Sequence, residues 1–156
     1  MWSGSAWTAT NNFGVGLRAL QNNTGTDCAG VGQYARYSNT GNACAGLGWQ
    51  ALGSNKGAES SGIGYVVLQD NTGNQSTGFG SQAGRYNTGN NLVALGHRSA
   101  EDNIGSDTSL VGLRSGYYNT GKQAAGLGHL SLYNNTGDSV VALGYYSGRY
   151  NTGNYN

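Results

Sequence analysis

The chain has 156 residues, enough for one ordinary domain, with 29 Gly, no Pro, 10% charged residues and a net charge of +1. That balance offers no broad basic field for nucleic acid or anionic lipid, and glycine without proline or a Gly-X-Y period excludes collagen. No apolar run approaches the roughly 20 residues of a membrane span, so no membrane insertion is expected, and low charge with eleven Tyr and three Trp argues against a self-repelling disordered chain.

Residues 1–6 read as a lead-in, and the start MWSGSAWTATNN has neither the basic region nor the apolar stretch of a signal peptide. From there a sixteen-residue period takes over. A degenerate coil at 7–22 is followed by eight full ones, from NTGTDCAGVGQYARYS (23–38) to NTGDSVVALGYYSGRY (135–150), and residues 151–156 begin a tenth. Asn recurs at 23, 39, 55, 71, 87, 103, 119, 135 and 151, with Gly two residues later each time. A second glycine column runs from Gly16 through Gly80 to Gly144. Unbroken self-similarity at a short period is the signature of a solenoid with one coil per repeat.

Numbering each coil from its Asn, position nine is always apolar: Val15, Val31, Leu47, Ile63, Phe79, Leu95, Val111, Leu127 and Leu143. Position seven is mostly small or β-branched. Two residues apart on a strand, the two positions share a face, and both are expected to point inward. Position thirteen is small throughout and is expected to close the core from a second face. Positions six and eight then form a smooth outer stripe suited to close packing against another chain. Asn-Thr-Gly is a turn, in which Asn tolerates left-handed geometry and bonds its own backbone while Gly takes positive φ. Stacked Asn side chains can also bond one another up the column. The predicted fold is all-β: a parallel β-roll of nine coils with two short strands per coil, about 43 Å long at about 4.8 Å per coil.

Cys28 and Cys44 fill the same slot of adjacent coils. They read as two small semi-buried residues, as a disulfide poorly served by parallel Cβ vectors, or as half of a metal site that has no further ligand in register. His97 and His129 lie two coils apart, roughly 9.6 Å, too far to share one metal. Gly-x-Gly recurs in nearly every coil, so it is architecture and not a phosphate loop, and no dinucleotide-binding or P-loop motif occurs. The acidic residues are scattered. No catalytic residue, cofactor or metal is assigned, and no enzyme activity is expected.

Aromatic residues are the better clue to binding. Trp49, Tyr65 and Tyr145 stand at position eleven. Tyr117, Tyr118, Tyr133, Tyr146, Arg149 and Tyr150 crowd the C-terminal third. Tyr and Trp offer an apolar face with a polar tip, suited to stacking on sugars or proteins. All nine are candidate ligand contacts, and any of them also serves to cover coil edges and stiffen the rod.

The segments NLVALGHRSAEDN (91–103), QAAGLGHLSLYNNTG (123–137) and DSVVALGYYSGRYNTG (138–153) resemble the head repeat of trimeric autotransporter adhesins, SVAIGxxSxAxG. They are still more similar to the NTALGYxALxxNTTG repeats of phage tail fibres. The resemblance covers residues 7–156 and is carried best by Val93-Ala94-Leu95-Gly96 and Val141-Ala142-Leu143-Gly144, whereas other coils place Gly where these have Ala. It implies a left-handed roll in a homotrimer, a place on a virion or cell surface, and attachment to a host glycan or protein receptor. Two alternatives stay open. One is a self-assembling fibril subunit, because coil ends expose pairing edges. The other is an ice-binding roll, because Thr24, Thr40, Thr72, Thr88, Thr120, Thr136 and Thr152 form a column, although Lys56 and Ile104 interrupt it.

Overall fold

A computed structural model describes residues 11–154. The lead-in at 1–6, the first four residues of the degenerate coil and the last two of the chain lie outside the described residues. The architecture is a parallel β-solenoid with one coil per sixteen residues. Nine short strands form one sheet in sequence order: β1 (Phe13–Val15), β2 (Ala29–Val31), β3 (Ala45–Leu47), β4 (Ser61–Ile63), β5 (Thr77–Phe79), β6 (Leu92–Leu95), β7 (Thr108–Val111), β8 (Ala125–Leu127) and β9 (Val141–Leu143). Every pairing is parallel and steps by sixteen residues, as in Ala45 beside Ser61 and Val111 beside Leu127.

The expected second strand of each coil is not formed among the described residues. After the strand the chain runs through overlapping turns, with donors at positions thirteen, fifteen and one bonding three residues back, as in Ala35 N–H to Gly32, Tyr37 N–H to Tyr34 and Asn39 N–H to Arg36. The intervening positions twelve, fourteen and sixteen sit at positive φ, as Tyr34, Arg36 and Ser38 do at 58°, 56° and 52°. Their N–H groups reach neighbouring coils instead: Tyr34 to Leu17, Arg36 to Ala51, Ser38 to Gln21. The backbone is thus bonded both within and between coils without β geometry.

The strand faces are inverted relative to the sequence expectation. Position nine was to be the core, but Leu47, Ile63, Phe79, Leu95, Leu127 and Leu143 are exposed, Leu143 by 68%, and Val31 and Val111 are half-buried. Positions six and eight point inward instead: Cys28, Cys44, Leu92, Ala94, Thr108, Leu110, Ala124, Val140 and Ala142 are all buried. The reason is steric. In several coils the strand faces position fourteen at close range and the two positions share one volume, while beside Gly78 and Gly84 the space goes to Leu68 of the preceding coil. Where eight is Gly46 or Gly126, the space goes to Leu52 or Leu132, each 3.0 Å from where a Cβ on that glycine would sit. In β7 the arrangement reverses. Leu110 fills the coil, and fourteen is Gly116, whose Cβ would come 2.3 Å from it. Small residues at position eight mark a tight interior and not a smooth exterior, and a large position-nine side chain has no room there. Position thirteen is interior as expected, with Ala35, Ala51, Val67, Ala83, Ser99, Ser115 and Ser131 fully buried.

The asparagine column forms the predicted ladder. Each side-chain amide donates to the Asn carbonyl oxygen one coil back, from Asn39 to Asn23 at 2.8 Å through Asn151 to Asn135 at 2.9 Å. It also donates to the glycine carbonyl two residues on, as Asn71 does to Gly73 at 2.7 Å. Asn39 through Asn135 are fully buried, so these bonds satisfy donors and an acceptor that burial would otherwise leave costly. The turn geometry differs from expectation, because neither this Asn nor its Gly takes positive φ. The glycine is required by stacking: a Cβ on Gly73 would lie 1.9 Å from the carbonyl oxygen of Gly89.

Candidate binding surfaces

Two surfaces are left over once the coil interior is filled. The first is the outer face of the sheet. Phe13, Val15, Leu47, Ile63, Phe79, Val93, Leu95, Leu127, Val141 and Leu143 all project from it and are exposed. They follow from period-two alternation, with every second strand residue facing out. Between the large side chains, a shallow apolar groove runs over β2–β6, floored by Ala45, Gly46, Ser61, Gly62, Thr77 and Gly78. Soluble monomers seldom expose an apolar stripe that runs unbroken along a whole sheet.

The second surface is the pair of aromatic edges flanking the turns. Position eleven carries Trp49 and Tyr65, whose rings stack with centroids 4.9 Å apart and planes 9° apart. Tyr34 meets Trp49 edge-on at 6.4 Å. Position fifteen carries Tyr117 and Tyr133, stacked at 5.5 Å and 7°. Tyr118 and Tyr150 pack edge-on against these two, at 4.3 Å and 5.8 Å. Tyr145 and Tyr146 form a third group with His129. Arg149 lies over the rings of Tyr133, Tyr146 and Tyr150 at 4.6–5.4 Å and donates to the Tyr150 hydroxyl at 3.0 Å. The structure therefore brings Tyr133, Tyr146, Arg149 and Tyr150 into one cluster and holds Trp49 and Tyr65 apart from it as a separate pair. Stacked rings also occupy one another's faces, which limits what a ligand can use.

Electrostatics sort the edges further. A hydrogen bond with Tyr118 and partial burial push the Tyr117 hydroxyl up to about 12, so it stays protonated and able to donate. The hydrogen bond with Tyr146 likewise raises Tyr145. In the middle of the rod, Arg85 repeats the Arg149 arrangement, lying 4.4 Å over Tyr86 and donating to its hydroxyl at 2.8 Å. There the next coil adds Glu101, 3.8 Å from Arg85 and 3.4 Å from Arg98. Burial raises Glu101, Asp70 and Asp102 from their ordinary values, against the opposing pull of the arginines.

One buried group escaped sequence reading. Arg36 at position fourteen is fully buried, its guanidinium donating to the carbonyls of Cys44 and Gly41, the latter at 3.1 Å. Position fourteen holds Leu in four other coils, which was the available signal that it belongs to the interior. Cys28 and Cys44 are free thiols bonded to backbone carbonyls, and both are buried. Burial raises the Cys44 thiol, with the Ser60 backbone and Arg36 pulling the other way. Among the described residues, no three His, Cys, Asp or Glu side chains are placed to hold a metal ion.

Compared with known proteins, the chain matches no family model, no curated protein and no solved structure.

Proposed function

We propose that the chain is a structural and adhesive fibre segment. Three copies associate through the outer faces of their sheets, and the aromatic edges left outside meet a glycan or protein receptor on a host surface. The observation that carries this is the exposed apolar column of the sheet, from Val15 through Ile63 and Phe79 to Leu143. Covering such surface is worth about 25 cal/mol per Å², and parallel rods with the same coil spacing can cover it along their whole length. The resemblance of the Val-Ala-Leu-Gly segments to trimeric adhesin and tail-fibre repeats supports three copies over two. It also supports a place on a virion or cell surface. Three identical rods present each weak site three times, and avidity follows without further contacts. The chain is then a binding and structural module and not an enzyme. Solution mass tests this, with the wild type at three chain masses and the pair Ile63→Asp with Leu95→Asp at one. A monomeric wild type would remove the proposal.

A further inference from the structure

Tyr65 is half exposed and has a ring neighbour on one side. Its partner is Trp49, one coil back in the same column, at a centroid spacing of 4.9 Å. Rings on equivalent positions one coil apart stack along the solenoid axis, so the second face of Tyr65 looks toward the following coil. That coil has Ser81 at the same position, too short to cover a ring, and the next ring is His97, one coil further. Among the described residues Tyr65 meets no ring but Trp49, and His97 meets none. Tyr65 is 52% exposed and His97 is exposed, while Ser81 between them is half-buried. Two coils separate the walls by roughly 9.6 Å. Carbon contacts of about 3.8 Å on each side leave roughly 2 Å between them. A puckered saturated ring, with axial hydrogens on both faces, comes nearer to filling that thickness than a flat aromatic ring.

The rim is polar. Gln82 and Arg98 follow Ser81 and His97 in sequence, and Arg98 Nε donates to Gln82 Oε1 at 2.8 Å. That bond ties the two side chains together, with Glu101 also 3.4 Å from Arg98 Nε, and leaves the Gln82 amide N–H groups and the terminal guanidinium N–H groups for ligand hydroxyls. The coils are tied in register by Gln82 N–H to Tyr65 at 2.9 Å and Arg98 N–H to Ser81 at 3.0 Å. We infer that Tyr65 and His97, with Ser81 as floor and Gln82 and Arg98 at the rim, form a slot for one pyranose ring of a neutral saccharide. This rests on the adhesive reading and names the ligand class for it.

Saturation-transfer NMR with the methyl glycosides of glucose, galactose and N-acetylglucosamine tests the slot. The full chain should transfer saturation to the ring C–H protons of at least one of them. Ser81→Tyr should abolish that transfer by filling the slot, in a column that already accepts Tyr at 65 and 145. Tyr65→Ala, at an exposed position, should abolish it by removing a wall, and it serves in place of Ser81→Tyr if circular dichroism shows that variant unfolded. Lys122→Ala, at an exposed position two coils beyond His97 and outside the aromatic edges, should leave it intact. No transfer with any of the three glycosides, transfer that survives Ser81→Tyr, or stronger transfer to indole than to any glycoside would overturn the assignment. A failure of trimerisation would show in the solution mass and not in this experiment.

Discussion

The two faces of the one sheet have similar apolar character and opposite fates. The inner face carries Gly, Ala and an occasional Leu, and never a large residue opposite another, so that Leu110 goes with Gly116 and Gly126 goes with Leu132. The outer face carries the larger side chains, Ile63, Phe79 and Leu143 among them, and nothing among the described residues covers them. Residue size, more than hydrophobicity, decides which face is inside, because positions eight and fourteen of a coil leave too little volume for a large side chain at both. The stability of a coil therefore resides on the inner face, and the outer face is free to serve association.

Four changes would break or sharpen that contrast. The largest effect is expected inside: Leu110→Ala should cost about 2–5 kcal/mol, since the fully buried side chain leaves a cavity beside Gly116. Thermal unfolding followed by circular dichroism measures it, and a loss below 1 kcal/mol would mean the coil is not packed as described. Next, Gly126→Leu should overfill its coil and cost about 1–3 kcal/mol. Adding Leu132→Gly, which reproduces the β7 arrangement, should recover most of that loss, and simple additivity in the double-mutant cycle would refute the shared volume.

Outside, Leu127→Ser should change the unfolding free energy of a dilute monomer by no more than about 0.5 kcal/mol. It should nevertheless weaken association measured by sedimentation. An effect on the monomer as large as that of Leu110→Ala would erase the distinction between the faces. The smallest effect concerns pH. Asp70, Glu101 and Asp102 have folded pKa values raised above their unfolded ones, so the folded state binds more protons, and their contribution to stability falls as pH rises through the unfolded and then the folded values. Melting temperature should rise modestly on going from neutral pH toward the carboxylate range, and less so in Glu101→Gln. A fall with acid that Glu101→Gln leaves unchanged would contradict the sign.

The solenoid, its period, the asparagine ladder and the small position thirteen were all legible in the sequence, because each repeats without exception. The phase of the strand was not. Alternation separates two faces but does not say which is inside, and an invariably apolar position nine looks like a core until volumes are compared. The deciding signal lay within single coils, in the exchange between Leu110 with Gly116 and Gly126 with Leu132. The turn run was hidden for another reason: Leu52, Val66 and Leu68 sit at positive φ, where their intrinsic preference opposes the conformation and only stacking holds it. Aromatic crowding near Arg149 could be read from the sequence. That Trp49 and Tyr65 stack face to face required the register of the coils.

Light scattering on the purified chain tests the central claim most directly, the outer sheet face being a surface for other copies. Three chain masses are expected, falling to one when Ile63 and Leu95 are both replaced by Asp. A wild type of one chain mass at high concentration would contradict it and leave the apolar column without a partner of its own kind.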